Sequence, residues 1–305
     1  MGSFLVRRGL RGMITIFFVI TLVFFATRLT GDPTDWLLPD SATPDERAAM
    51  RSYLGVDRPI PEQYAIYLRN CLRLDFGQSF YEHRPVSEVF FERVPLTVKL
   101  MGVSLGVAIT VGVSIGIIAA FHRNSFLDRL IMSVSFSAYA MPNFVLGIFL
   151  IFLFSLVLRM LPSSGSGGWQ YYIMPVLTLS SSNAAILARM TRSSMLNVIG
   201  EDYIRTARAK GVPERLVIIK HCLRNAFIPV LTMIGFMLTG LIGGSVVVER
   251  VFAWPGAGRL IVDAVLKRDY PVLQMAVLVT SVTVVLVNAL VDVGYALIDP
   301  RIRLE

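Results

Sequence analysis

Residues 201–230 read EDYIRTARAKGVPERLVIIKHCLRNAFIPV, a basic stretch with helical patterning caught between two hydrophobic runs. Glu201 and Asp202 stand where a helix N-terminus favours negative charge, and Gly211 and Pro213 stand where a helix ends. The spacing predicts a short helix of about three turns between them. At helical spacing Tyr203, Ala207 and Gly211 make one narrow stripe of small profile, while Arg205 and Arg208 lie on another face. A helix of that shape slots into a cleft, so the segment reads as a docking surface for a cytoplasmic partner. Pro213 suits the first turn of a second helix running through Lys220, and Asn225 is placed to cap the next hydrophobic run.

Composition puts the chain around this loop in a bilayer. Of its 305 residues 54% are hydrophobic and 16% charged, with a mean hydropathy of +0.64, too little charged surface for a soluble protein of this length. Uncharged runs extend from Gly12 to Thr27, Leu100 to Phe121, Leu130 to Leu158, Phe227 to Val248 and Val272 to Val291. Most approach or exceed the roughly 20 residues that cross hydrocarbon. A sixth span is expected from about Tyr172 to Leu187, although Ser180 to Asn183 interrupt it. Without it, the basic loop and the acidic segment after Thr30 would share one side. The expected fold is therefore an all-α polytopic membrane protein with six transmembrane helices.

Arg7, Arg8 and Arg11 before an apolar run also fit a secretory signal, but no small-x-small cleavage site follows, and a retained anchor is expected. Basic residues in short loops set the orientation: the N-terminal arginines, Arg123 with Arg129, the 201–230 loop, and Arg301 with Arg303 share one side, the cytoplasm. Both termini then face the cytoplasm. The net charge of +8 records this orientation and anionic lipid headgroups rather than nucleic acid, for which no recognition module is present. Cys71 falls outside and Cys222 inside, which excludes a disulfide between them.

The expected organisation is a cytoplasmic tail and first span (1–29), an extracytoplasmic helical insertion (30–95), a transmembrane core (96–300) with its cytoplasmic loop (197–226), and a C-terminal tail (301–305). Within the insertion, Thr43-Pro44-Asp45-Glu46 is a capping box ahead of a helix ending near Gly55. A second helix starts at Pro61 and ends near Asp75-Phe76-Gly77, and a third runs from Val86 to Arg93 into the second span at Pro95. This region either receives an extracytoplasmic binding protein or packs on the spans as a lid.

Inside the spans, Gly102 and Gly106, Gly112 and Gly116, and Gly240 and Gly244 each stand four apart, allowing close helix approach. Pro142 is expected to kink the third span. Asn143, Ser181, Asn183, Asn288 and Asp292 are expensive against lipid and are the candidate lining of a translocation path. Asp292 is also close enough to the cytoplasmic end to reach water. Phe252, Trp254, Pro255 and Gly256 follow the fifth span. Trp254 suits the interface, Pro255-Gly256 a turn, and Leu260 to Lys267 a short helix near the outer mouth, which this segment either closes or anchors.

The 201–230 loop resembles the coupling loop of ABC importer permeases, whose pattern is Glu-Ala-Ala, three residues, Gly, and further on Ile-x-Leu-Pro. Arg205, Thr206 and Ala207 occupy the first positions here and His221, Cys222, Leu223 and Arg224 the last, so only Ala207, Gly211 and Leu223 agree. The departures are similar to those of the dipeptide, oligopeptide and nickel permeases, in which TARAKG and His-x-Leu-Arg-Asn are usual. ValPheAlaTrpProGly from Val251 and the Asp299-Pro300-Arg301-Ile302-Arg303 ending extend the resemblance from Gly31-Asp32-Pro33 through almost the whole chain.

The resemblance implies the type I importer permease fold and a heteromeric machine: a second homologous permease, two cytoplasmic ATP-binding subunits and an extracytoplasmic substrate-binding protein. Glu201, Asp202, Tyr203, Arg205, Thr206, Ala207, Arg208, Lys210 and Gly211 would then couple to an ATPase, with Gly211 required by its turn or by close approach. No phosphate loop is present in this chain, so it is expected to hold no cofactor of its own, ATP and Mg being bound by the ATPases. No catalytic or metal-ligand motif appears either. The expected cargo is short peptides, with nickel complexes, glutathione or another small solute as alternatives. An ion-driven carrier is the competing class, with Asp292 as its intramembrane carboxylate.

Overall fold

The computed structural model describes residues 2–29, 31–240 and 245–298, leaving the side chains of 2–6, 219, 239 and 292–298 outside the description. Gly244, the side chain of Asp292 and the 299–305 ending therefore lie outside the described residues. Among those described, every regular element is helical: α1 (Gly2–Leu29), α2 (Thr34–Leu37), α3 (Pro44–Leu54), α4 (Ile60–Arg73), α5 (Val86–Phe121), α6 (Phe126–Ala140), α7 (Asn143–Leu150), α8 (Gln170–Ile199), α9 (Asp202–Ala209), α10 (Glu214–Leu216), α11 (Arg224–Thr239), α12 (Val246–Val251), α13 (Ala257–Lys267) and α14 (Tyr270–Ile298). π-helical turns continue α7 through Ile151–Val157 and join α10 to α11 through Val217–Leu223.

Four described segments are long and apolar enough to cross a membrane: Arg7–Leu29, Val86–Phe121, Glu214–Leu238 and Tyr270–Val291. A fifth arises if Phe126–Ala140 and Asn143–Val157 count as one span, bent by 100°. The kink expected at Pro142 is thus a break. Met141 sits in the extended region at φ −81° and ψ 123°, as a residue before proline prefers, and Pro142 caps a new helix. Pro95, by contrast, lies inside α5, which runs unbroken from Val86 where a separate helix ending at Arg93 was expected. The residue whose carbonyl it cannot bond, Phe91, stands at an exposed position. The stretch expected as a sixth span lies within α8, a helix of 30 residues. Its serines, Asn183 and arginines lower its apolarity below that of the other spans.

The described chain divides into two compact units, residues 2–96 with 256–286, and residues 97–255 with 287–298. In the first, α3 has the expected capping box, with Thr43 and Glu46 bonding each other's backbone, and Gly55 closes it at φ +66°. The Thr43 N–H and hydroxyl hold the Glu46 carboxyl below its ordinary range. The α4 helix packs Tyr64 and Tyr67 on Phe24 of α1, with Cys71 and Leu278 in the same core. A second core joins Val86 and Phe90 of α5 to Ala257, Ala264, Val272, Met275 and Ala276. The tight turn at Ser79–His83 is pinned by Asp269, which accepts from the Ser79 hydroxyl and, at 3.3 Å, from the Phe80 N–H. Burial opposes the charge of Asp32, yet Thr34 and Arg51 hydrogen bonds outweigh it and hold that carboxyl low.

In the second unit, α5 lies directly on α8. A Cβ built on Gly112 would meet the Ala184 carbonyl at 2.6 Å, and one on Gly116 the Ala188 carbonyl at 2.6 Å and Thr191 Cβ at 2.7 Å. These glycines serve packing within the chain, whereas a Cβ on Gly102 or Gly106 meets nothing within 4 Å among the described residues. Backbone atoms cannot swing aside as a side chain does. Gly116→Val is therefore expected to destabilise the chain by about 1–3 kcal/mol, and Gly102→Val to leave it unchanged. Thermal unfolding of the two purified variants in detergent measures the contrast.

Candidate functional site

The helix α9 is short and carries one fully buried side chain, a peg. Ile204 is fully buried, packed with Ala120 at the end of α5, Met195 near the end of α8, and Val217, Cys222 and Ala226 of the helix that follows. Val217 and Cys222 stand five residues apart within the π-helical turn, whose i→i+5 bonding brings such residues onto one side. Burying the Ile204 side chain contributes about 1.5–3 kcal/mol. One residue thus ties α9 to the ends of three long helices.

The turn after α9 is a Schellman motif. Gly211 N–H bonds the Arg208 carbonyl at 3.0 Å and Val212 N–H the Ala207 carbonyl at 3.2 Å, while Val212 and Ala207 join the Ile204 core. Gly211 sits at φ +76°, and among the described residues a Cβ there meets nothing within 4 Å. The turn itself demands glycine, and the space beside it is open. Arg208 then clamps the turn, its guanidinium on Glu214 at 2.7 and 3.1 Å. That bond raises the Arg208 guanidinium further above its ordinary range and keeps it charged.

The remaining docking candidates face outward. Glu201, Asp202, Tyr203, Arg205, Thr206, Lys210 and Gly211 are exposed and Ala207 half-buried, with Arg205 Nη1 3.5 Å from Asp202. Glu201 caps α9 through extended backbone rather than its side chain. The expected second helix does not stop at Lys220. The chain stays helical from Glu214 to Thr239, and Asn225 caps nothing: its amide donates to the Tyr203 hydroxyl at 2.9 Å and the His221 carbonyl at 3.2 Å. Ile204, the peg, was not among the sequence candidates. It is the one large aliphatic residue in α9, and that was its signal.

Of the candidate path residues, Asn143 begins α7 just after the Pro142 break and accepts from Ser182 of α8 at 3.2 Å. Ser181 and Asn183, on either side of Ser182, bond back to the α8 backbone, at 3.0 Å to Thr178 and 3.1 Å to Leu179. Asn288 is half-buried in α14. Two charged groups of α8 escaped the sequence reading. Arg192 grips the buried Asp128 of α6 with two bonds, at 2.6 and 2.7 Å, and Arg189 lies 4.6 Å from the Tyr139 ring centroid. Both arginines stand just beyond the apolar stretch that drew attention to α8.

The outer-mouth segment differs from its expectation. Trp254 is fully buried, edge-on to Tyr172 of α8 at 4.6 Å, rather than at an interface. Phe252 packs on Gly147 of α7, and its carbonyl accepts from Gly165 N–H at 3.1 Å. The reversal is made by Ala253 at φ +46°, not by Pro255-Gly256, and Gly256 is the extended N-cap of α13. Glu249 just before it is buried, accepting from Thr97 and Ser245 hydroxyls at 2.7 and 2.8 Å.

Residues 112–304 match the family described as binding-protein-dependent transport system inner membrane component, and residues 1–101 its N-terminal counterpart. The glutathione transport system permease protein GsiC of Shigella flexneri serotype 5b (strain 8401) is 46% identical over 304 residues, 99% of each chain. Its namesake in Escherichia coli (strain K12) is 45% identical over 304 residues, again 99% of each chain. Among solved structures, the inward-facing MetNI methionine ABC transporter (CY5 SeMet soak crystal form) aligns with a TM-score of 0.58 at 18% identity, over 68% of this chain and 95% of that one. An amino acid ABC transporter crystallised with histidines aligns with a TM-score of 0.53 at 17% identity, over 68% and 94%. The two structures share the helical fold of this chain.

Proposed function

This chain belongs to the family of binding-protein-dependent transport system inner membrane components, and from that premise we propose that it carries short peptides with free carboxylates, glutathione among them, through a path shared with a second permease. It is a permease subunit of an ABC importer, resident in the bacterial inner membrane. Two cytoplasmic ATP-binding subunits, which hold ATP and Mg, drive the cycle, and an extracytoplasmic binding protein delivers the cargo. The chain itself catalyses no reaction. Six spans cross the membrane, with α8 as the sixth and both termini in the cytoplasm.

The observation that carries this reading is the Ile204 peg. An ATPase that moves α9 moves, through Ile204, the ends of α5 and α8 and the start of the 214–239 helix together. Exposed Tyr203, Arg205 and Lys210 are left to meet that ATPase. Asn143 and Ser182, at the break in the α6–α7 span, line the route. The cargo assignment draws on the expected peptide-permease likeness and on relatives named for glutathione, itself a short peptide with two free carboxylates.

Co-purification tests the assembly. A tagged chain expressed with its native partners is expected to elute with two ATPase subunits and a second permease. In proteoliposomes the complex should take up labelled dipeptide or glutathione only with ATP inside the nucleotide compartment and loaded binding protein outside. Uptake by the isolated chain under an ion gradient would overturn the reading.

A further inference from the structure

We propose that Arg189 is the group in the translocation path that reads a carboxylate of the cargo, presenting its guanidinium from the face of Tyr139 beside the Pro142 break. The inference rests on the cargo reading above and adds a specificity-determining residue to it.

Arg189 is half-buried in α8, and its Nε is buried without a hydrogen-bond acceptor. Among the described residues no carboxylate lies within ion-pair distance of it. Asp128, the buried acid that α6 offers to α8, is already held by both arms of Arg192. The contact made by the Arg189 guanidinium is the ring of Tyr139, 4.6 Å away. A cation on a ring gains only a modest attraction. A hydrogen bond to a charged group is stronger, and a guanidinium offers five donors in a fork that matches a carboxylate. The ring lies against the guanidinium at 4.6 Å and no acceptor among the described residues meets the buried Nε–H, so a planar anion that reached the guanidinium would fill an unused part of its fork. The site is half of a charge pair.

Its place in the fold says where the other half comes from. Arg189 and Ser182 stand seven residues apart in α8, on one face of that helix. That face meets the broken span on both sides of Pro142: Ser182 bonds Asn143 at the start of α7, and Arg189 covers Tyr139 at the end of α6. Ser182 and Arg189 thus place two polar groups, with Ala185 and Ile186 between them on that face, beside the interruption in the α6–α7 span. A half-buried cation without a counterion is costly unless an anion visits it or water reaches it. A cargo with a free carboxylate supplies that anion in transit. One arginine without a permanent partner binds it without trapping it.

The test uses the complete importer in proteoliposomes, with binding protein preloaded with a dipeptide or with the same dipeptide amidated at its C-terminus, loading being verified beforehand. Arg189→Gln is expected to lower uptake of the acid at least tenfold while leaving the amide within twofold. Arg189→Lys, which keeps the charge and loses the fork, should fall between. Should Arg189→Gln not assemble, Tyr139→Leu decides the matter, with an expected loss of at least threefold for the acid alone. Equal losses for both cargoes, or no loss, would overturn the proposal in favour of a structural arginine. A defect that follows the phosphatidylglycerol content of the vesicles rather than the cargo's carboxylate would assign Arg189 to a lipid headgroup and overturn it too. If the wild-type complex hydrolyses ATP yet takes up neither cargo, the cargo assignment itself falls, and the inference with it.

Discussion

Gly211→Val is expected to abolish most uptake, by tenfold or more, while the assembled ATPases go on hydrolysing ATP. The residue sits at φ +76° and closes α9 through two backbone bonds of a Schellman motif. A left-handed conformation costs an ordinary residue about 1–2 kcal/mol, and a branched Cβ more. The chain relaxes by opening the turn, which releases Val212 from the Ile204 core and shifts Glu214 away from Arg208. The helix α9 then stays attached at one end only. Among the described residues no atom lies within 4 Å of a Cβ at Gly211, so membrane insertion and the packing of the spans should survive. Gly211→Asn separates the two reasons for glycine. Asparagine tolerates the left-handed region, so it keeps the turn while filling the open space. Uptake near wild type in Gly211→Asn would assign the requirement to the turn. A loss as deep as that of valine would assign it to an ATPase that approaches the backbone. Full uptake by Gly211→Val would remove α9 from the coupling mechanism.

The ends of α9 were legible because they depend on local chemistry: acid at the start, and at the finish a glycine that takes φ +76° without strain. Its seating was not, because Ile204 has meaning only against Ala120, Met195 and Cys222, which are distant in sequence. Prolines show the same divide. Pro95, Pro175 and Pro229 lie inside helices, and Pro142 breaks one, although each removes the same backbone donor. The break at Pro142 comes with a contact on its far side, Asn143 to Ser182, that local reading does not contain. Trp254 was read as interfacial from its chemistry alone, and the left-handed Ala253 before it turns it inward onto Tyr172. The long apolar spans other than α8 were legible, since length and hydropathy suffice for them. The arginines of α8 were hidden by the same rule: apolar stretches end where Arg189 and Arg192 begin.

Asp128→Ala should be among the most destabilising single changes in the described membrane core. Asp128 is 3% exposed and its carboxylate accepts three times, twice from Arg192 and once from the Asn124 N–H, while its own backbone N–H donates to the Ser125 hydroxyl oxygen that caps α6. Removing it strands a guanidinium whose side chain is 24% exposed, and leaves the Asn124 N–H without its acceptor. Breaking a buried ion pair costs about 3–5 kcal/mol, and the partial exposure of Arg192 argues for the lower end of that range. Arg192→Met alone leaves a buried carboxylate and should cost a similar amount. The pair replaced together, Asp128→Leu with Arg192→Met, exchanges two charges for apolar volume and should recover most of the loss. Thermal unfolding of the four chains in detergent forms the double-mutant cycle. A recovered double variant has a second use. If it is stable yet transports poorly, the charge pair sets the angle between α6 and α8 that the cycle needs. If it transports as well as the wild type, the pair serves folding alone. Additive losses across the cycle would show that Asp128 and Arg192 do not act as a pair at all.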